Sequence, residues 1–208
     1  SLGAARHIAV NGNGDIYVKL EKLNDGRGIL RLRDTNNDGT ADDISGFGNY
    51  EGTGIAIKNG YLYASSDDNV YRYKMDNNEV SANTEEMIVE GLINKREHSS
   101  KSITLDNEGF IYVNIGAPSN ACQEKNREKG SPGMNPCPIL DSAGGIWQFK
   151  ADKAKQHYGD GLRYATELLQ DGAVLENREW QSIPARPPGL DTIAEFRSET
   201  NNSSAKLN

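Results

Sequence analysis

The sequence has few of the residues that mark several common classes of protein. Only two cysteines, Cys122 and Cys137, occur among 208 residues, too few for a disulfide scaffold and without the paired spacing of a zinc site. No stretch approaches the roughly eighteen consecutive apolar residues of a membrane span. Lys and Arg number 23 against 30 Asp and Glu, without a basic run, which disfavours nucleic acids and anionic membranes as partners.

Residues that favour turns and strands are abundant instead. The chain has 22 glycines and 9 tyrosines, and Asn and Asp are frequent. Turn-forming residues beside strand-forming ones are typical of proteins with many short strands. The hydrophobic fraction of 36% is low, but a chain of this length can still bury a core. We therefore expect an all-β fold.

Three segments repeat one pattern of two alternating strands around an Asn- or Gly-rich turn, followed by a third strand. Ile8, Ile55 and Ile103 are equivalent and lie 47 and 48 residues apart. This spacing is typical of β-propeller blades, and the agreement in turn position disfavours an ordinary β-sandwich. The sequence predicts blades over residues 1–166 and a divergent, irregular tail over 167–208. The predicted third strands are Gly28–Arg33, Asn69–Lys74 and Gly145–Lys150, and the one clear fourth strand is Glu86–Val89.

Three blades are fewer than the four to eight that usually close a propeller ring. The chain is therefore expected to be part of a larger propeller, a truncated product, or a half-ring that a second copy completes as a homodimer. Ser1, Leu2 and Gly3 carry no charged leader, so we expect any signal peptide to lie outside this chain.

The segment from Asp34 to Asp43 is rich in alternating side-chain oxygens, with Gly39 at the sharp turn. A hard cation such as calcium needs such a set of oxygens, although Ser45 stands where an EF-hand loop has Glu. A solvated Asn/Asp turn is the alternative. If calcium binds, a structural role is expected. The predicted ligands are Asp34, Asn36, Asp38, Thr40, Asp42 and Asp43.

His98 lies just before the first strand of the third repeat, an end that opens onto the central channel of a propeller. A histidine there can take up a proton near neutral pH, whereas the alternative is an exposed loop residue. An insertion over residues 117–143 interrupts the same blade, and we expect it to shape a binding mouth. It carries both cysteines, and we favour a disulfide, hence an oxidising compartment, over free thiols.

A series of motifs over roughly residues 3–166 resembles the sorbosone dehydrogenase-like proteins, and the motifs occur in the same order as in those proteins. Those proteins are similar to soluble quinoprotein sugar dehydrogenases, which are six-bladed propellers of the bacterial periplasm that use pyrroloquinoline quinone (PQQ) and calcium. The motifs are Leu30–Asp42, His98–Ser102, Tyr112–Cys122, Gly130–Gly133, Asn135–Pro138, Gly144–Trp147 and Arg163–Thr166.

The resemblance implies a periplasmic or secreted dehydrogenase that oxidises a sugar or a related aldehyde or alcohol. Its electrons would pass to an acceptor such as a cytochrome. It implies that His98 takes the proton of the sugar C1 hydroxyl while hydride passes to C5 of the quinone. His98, Glu51 and Asn120 are the candidates for contact with the cofactor. The loop at Asp34 would be a separate, structural calcium site.

Two departures from the family concern the cofactor site. No Arg-Asn pair follows Thr166, and Ala117 stands where glucose-oxidising relatives carry Asp. One alternative function is therefore a non-catalytic, calcium-stabilised propeller module that binds a partner or carbohydrate. A metal-dependent hydrolase of the lactonase kind ranks last, because Glu51 is the one obvious carboxylate near a strand start.

Overall fold

The computed structural model describes residues 2–119, 122–165, 169–170 and 173–174. No helix within these ranges is long and apolar enough to cross a membrane. The strands are β1 (Ala5–Val10), β2 (Ile16–Asn24), β3 (Arg27–Arg33), β4 (Asp43–Phe47), β5 (Ile55–Lys58), β6 (Tyr61–Ser65), β7 (Val70–Asp76), β8 (Glu79–Val80), β9 (Glu86–Glu90), β10 (Ile103–Leu105), β11 (Phe110–Ile115), β12 (Gly145–Lys150), β13 (Gln156–His157), β14 (Leu162–Ala165), β15 (Leu169–Gln170) and β16 (Ala173–Val174). Short 3₁₀ helices cover Ala82–Thr84, Pro138–Asp141 and Tyr158–Asp160.

Three antiparallel sheets follow one another along the chain, and we call them blades 1, 2 and 3. Blade 1 has the order β1-β2-β3-β4, blade 2 contains β5-β6-β7-β9, and blade 3 has the order β10-β11-β12-β14. The short β8 pairs with β7, and β13 adds to β9 in parallel. Strands β15 and β16 form a separate hairpin. The predicted all-β architecture of three hairpin-based repeats is confirmed.

The hairpin turns form where the sequence predicts them. Asn59 and Gly60 join β5 to β6, with φ angles of 50° and 77°. A two-residue turn with both φ angles positive matches the right-handed twist of its strands, and Asn and Gly tolerate that conformation best. In blade 1 the Asn11 N–H donates to the Asp15 carbonyl at 2.9 Å, which closes the longer turn.

Alternation along the strands gives each blade two faces, and the apolar faces of neighbouring blades pack together. Tyr17, Ile29 and Phe47 of blade 1 share one buried cluster with Leu62 and Tyr73 of blade 2. A second, larger cluster joins the other face of blade 2 to blade 3. Its members include Tyr63, Val70, Ile88, Val89, Leu105, Ile111, Val113, Trp147 and Phe149.

The repeats are four-stranded, as predicted, but the sequence did not locate the fourth strands of blades 1 and 3, β4 and β14, because each lies at an edge of its sheet. Edge strands need no continuous apolar pattern, and β4 includes the turn-favouring Ser45 and Gly46. Strand β14 ends at Ala165, next to the predicted end of the blades. Of the predicted tail the structure describes the hairpin β15–β16. The division at residue 166 stays a prediction.

Candidate functional site

His98 lies on the connection between β9 and β10, as expected, and its side chain is exposed. Its Nδ1 lies 2.6 Å from the carbonyl oxygen of Ala117. A carbonyl oxygen can only accept a hydrogen bond, so Nδ1 carries the proton in this contact. In the neutral ring the lone pair is then on Nε2. The backbone of His98 has a φ of 49°, a conformation uncommon for a residue with a side chain.

The chain folds closely around His98 because residue 116 is glycine. A Cβ on Gly116 would lie 2.5 Å from the His98 Cβ and 2.6 Å from the His98 carbonyl oxygen. These distances leave no room for a side chain. Gly116 immediately follows β11, so the strand delivers the next residue, Ala117, to the imidazole. Gly116 and Ala117 therefore position the histidine, the first by its close packing and the second by its hydrogen bond.

The insertion between β11 and β12 is closed by the predicted disulfide between Cys122 and Cys137. The two Cα atoms are 6.0 Å apart. Backbone hydrogen bonds also stabilise the insertion. Glu124 N–H donates to the Pro132 carbonyl at 3.0 Å, and Met134 N–H donates to the Cys122 carbonyl at 2.9 Å. We call residues 122–137 the disulfide loop. The expectation that the two cysteines pair is confirmed.

The disulfide loop contacts the residue just before the histidine. Arg127 Nε lies 3.2 Å from Glu97 Oε1, and Asn126 Nδ2 lies 2.8 Å from Glu97 Oε2. The hydrogen bond from Asn126 lowers the pKa of Glu97 most strongly, and the contact with Arg127 lowers it further. Sequence reasoning missed Glu97 and Arg127, because no motif indicates which charges of two distant loops will meet.

A buried hydroxyl lies two positions after Ala117, the residue that accepts the hydrogen bond from His98. Ser119 is 8% exposed, and its Oγ has no hydrogen-bond partner in the described part of the chain. A buried polar atom without a partner is uncommon, and a ligand is one way to satisfy it. Asn120, the predicted cofactor contact that follows it, lies outside the described residues.

Two lysines, one in β2 and one just before β10, are buried, which the sequence did not indicate. Lys19 of β2 is 0% exposed and donates to the carbonyls of Tyr50 at 2.7 Å and Gly28 at 3.2 Å. Lys101 is 1% exposed, and its ammonium donates to the Ser99 carbonyl. Burial lowers the pKa of each lysine to about 8, and the charge of Asp67 opposes this in both. Lysines are rarely buried, so the sequence alone favours exposure.

Glu51, the other predicted cofactor contact, is exposed and forms an ion pair with Lys22 at 2.9 Å. This hydrogen-bonded lysine lowers the pKa of Glu51. The contact that the structure gives Glu51 is thus to blade 1 and not to His98.

The loop from Asp34 to Asp42, between β3 and β4, is held by bonds to its own backbone. Gly39 N–H donates to Asp34 Oδ2 at 2.8 Å, which lowers the pKa of Asp34, and Thr40 N–H donates to Asp38 Oδ1 at 2.8 Å.

Two predicted ligands at the end of this loop have other partners. The Thr35 hydroxyl donates to Asp42 at 2.8 Å, and Asp43 pairs with Arg31 at 2.6 Å. Over the described ranges no three His, Cys, Asp or Glu side chains are grouped to hold a metal ion. Calcium binding here stays a prediction.

Comparison with known proteins assigns the chain to a family. A model of the TrAA12-like family matches residues 1–176. The chain belongs to the TrAA12-like family. This agrees with the resemblance to quinoprotein sugar dehydrogenases that the motifs indicate. The comparison with curated proteins found no match.

Two solved structures share the fold of this TrAA12-like chain. One is the calcium structure of the family AA12 carbohydrate-active enzyme of Trichoderma reesei, with 19% identity and a TM-score of 0.60, covering 78% of this chain and 40% of that one. The other is the holo form of the pyranose dehydrogenase PQQ domain of Coprinopsis cinerea, with 16% identity and a TM-score of 0.58, covering 78% and 38%. The TrAA12-like chain thus spans about two fifths of these relatives.

Proposed function

We propose that this TrAA12-like chain forms part of a PQQ-dependent dehydrogenase that oxidises a sugar or a related alcohol or aldehyde. The observation that carries the proposal is the bond from His98 Nδ1 to the Ala117 carbonyl. It leaves Nε2 as the basic nitrogen of an exposed histidine at the end of a blade. A base within reach of a substrate hydroxyl is the group that the protein must supply, while the quinone accepts the hydride.

The role of His98 follows from its surroundings. The Ala117 carbonyl fixes the ring orientation and stabilises the imidazolium that forms when Nε2 takes a proton. Because the carbonyl keeps the proton on Nδ1, only Nε2 exchanges protons with a substrate. Gly116 makes this arrangement sterically possible.

The residues around His98 fit a quinone in part. The Ser119 hydroxyl is a buried group without a described partner, and it could donate to a carbonyl or carboxylate oxygen of PQQ. Of the two structural relatives, one is a calcium structure and the other is the holo form of a PQQ domain. No Arg-Asn pair follows Thr166, so cationic contacts to the carboxylates of PQQ would have to come from another part of an assembled ring.

We further propose that a second copy covers the open face of blade 1. On this face Ile8 is 61% exposed, Val10 62% and Ile44 54%, whereas the opposite face packs against blade 2. Large aliphatic side chains exposed together on one sheet face indicate an interaction surface. The expected mass in solution is twice 22.8 kDa, and Val10→Lys should halve it. A monomeric native chain would contradict this.

Calcium and the cellular compartment complete the proposal. Calcium would bind the Asp34 loop through its carboxylate and amide oxygens, which would first have to exchange their bonds to backbone N–H groups. The disulfide supports an oxidising compartment, such as the periplasm or the extracellular space. An electron acceptor such as a cytochrome would reoxidise the quinone there.

The test is titration calorimetry of PQQ into the 208-residue chain in calcium, with the oligomeric mass measured on the same sample. We expect saturable, calcium-dependent binding and, with aldoses and an artificial dye, reduction of the dye. His98→Ala should abolish dye reduction. A chain of confirmed fold and mass that binds no PQQ would exclude the dehydrogenase and leave a partner- or carbohydrate-binding module as the alternative.

A further inference from the structure

The connection that carries His98 has no regular secondary structure of its own. Residues 91–102 lie between β9 and β10 without a strand or helix. Arg96 and His98 both have positive φ angles, 66° and 49°, and such conformations persist only where surrounding contacts hold them. The orientation of the histidine therefore depends on the contacts that other segments make with this connection.

Within the described ranges, the hydrogen bonds that hold the side chains of Glu97 and His98 come from the insertion that follows β11. Ala117 accepts the bond from the imidazole, while Arg127 and Asn126 hold the two carboxylate oxygens of Glu97. A guanidinium and an amide on separate oxygens restrict both position and rotation of the carboxylate. The segment next to His98 is thus fastened at two points.

The disulfide loop is built to present these two side chains rigidly. The Gln123 side chain accepts a bond from the Arg127 N–H at 3.0 Å and donates to the carbonyls of Glu128 and Ser131, each at 3.1 Å. The disulfide then closes the loop between Cys122 and Cys137. Arg127 and Asn126 are therefore carried on a braced unit and not on a free tip.

We infer that Glu97, Asn126 and Arg127 are positioning residues, through which the disulfide loop holds His98 in the Nδ1-protonated form that leaves Nε2 as the base. Only the purpose of this arrangement rests on the proposed function. The arrangement itself can be measured without quinone or substrate. It makes the redox state of two cysteines a determinant of the geometry of a histidine that neither cysteine touches.

The test is the tautomer of His98, read from long-range ¹H–¹⁵N spectra of histidine-labelled protein at about pH 8, where imidazoles are mostly neutral. The signal is assigned with His98→Gln. The native chain should show the Nδ1–H form. An imidazole released into water prefers the Nε2–H form, so Arg127→Ala and Glu97→Ala should shift the signal towards that form. Cys122→Ser combined with Cys137→Ser should do the same.

Glu128→Gln is the matched control, because it removes an exposed ion pair of the same loop, Lys125–Glu128 at 3.4 Å, that does not touch Glu97. It should leave the His98 spectrum unchanged. Arg127 is 61% exposed and Glu97 30%, so their replacement leaves the core intact, and the methyl spectrum verifies this. Arg127→Lys should restore part of the native tautomer. An unchanged His98 signal in folded Arg127→Ala would overturn the inference.

A kinetic arm separates this inference from the proposed function. If the chain oxidises sugars, Arg127→Ala should lower kcat about tenfold or more through misplacement of the base, with KM nearly unchanged. If the native chain oxidises nothing while the tautomer shifts as expected, the proposed function fails and the positioning inference stands. If oxidation is normal and the tautomer is unaffected by Arg127→Ala, only the positioning inference fails.

Discussion

The loop from Asp34 to Asp42 and the disulfide loop both interrupt a blade with polar residues, yet they are held in opposite ways. The first is held by hydrogen bonds among its own residues. The second extends to a connection about thirty residues earlier in the chain and holds Glu97 there. A local motif thus builds a self-contained turn, whereas the surroundings of His98 form where distant segments meet.

His98→Ala tests whether the region held by the disulfide loop is catalytic, and it should have the largest effect of the variants considered. Removal of a general base should lower kcat/KM for quinone-dependent oxidation by about 10² to 10⁴. Steady-state dye reduction measures it. His7→Ala is the matched control, since His7 is an exposed histidine of β1, and it should leave the rate unchanged. Equal losses in both variants would contradict a specific role for His98.

Opening the disulfide loop should destabilise the chain more than any change in the Asp34 loop. The bridge spans 15 residues, and its chain entropy corresponds to about 3 kcal/mol in the free energy of unfolding. Urea unfolding of Cys122→Ser with Cys137→Ser measures the difference, with the reduced native chain as a parallel sample. A loss below about 0.5 kcal/mol would mean that the internal hydrogen bonds hold the loop unaided.

Lys101, a buried lysine on the same connection as His98, predicts a pH dependence of stability that the exposed Asp34 loop lacks. Because burial lowers the pKa of Lys101 to about 8, the unfolded chain binds more protons between that pH and the ordinary lysine pKa. Stability should therefore rise from pH 8 to about 9.5, by about 1 to 2 kcal/mol after solvent screening. Above about pH 10, Tyr50 and Tyr73, whose pKa values burial raises, should reverse the trend.

Lys101→Met should remove part of this rise, whereas Lys129→Met, at an exposed position, should not. Urea unfolding at several pH values measures both slopes. Lys19, whose pKa burial also lowers to about 8, should supply the remaining rise in Lys101→Met. Identical slopes in the native chain and Lys101→Met would show that this ammonium is solvated.

The smallest effect is expected from calcium at the Asp34 loop. At 1 mM calcium a site of roughly 10⁻⁴ M affinity stabilises by about 1.4 kcal/mol, or about 3 °C in Tm for a chain of this size. Asp34→Ala with Asp38→Ala should abolish the shift, and chelator should abolish it in the native chain. If calcium raises Tm equally in the double variant, the loop is a solvated turn.

Residue patterns predicted the blades because hairpins are specified locally. The Asn59-Gly60 turn and the alternation of β5 and β6 need no information from elsewhere in the chain. The edge strand β4 was missed because its pairing depends on β3 and not on its own apolar pattern. The cysteine pair was also predictable, since both cysteines lie in one insertion. The family resemblance pointed to His98, whose catalytic role stays a prediction. Glu97 and Arg127 were not predictable.

By itself the sequence determined the all-β repeat, the turn positions, the insertion in blade 3 and the place of His98, because strand alternation and turn chemistry act over a few residues. Only the tertiary structure decided that Lys19 and Lys101 are buried and that Glu97 meets Arg127. It also decided that the Ala117 carbonyl accepts a hydrogen bond from His98 Nδ1. These contacts join segments far apart in the chain, and their geometry exists only after the blades have stacked and the disulfide loop has closed.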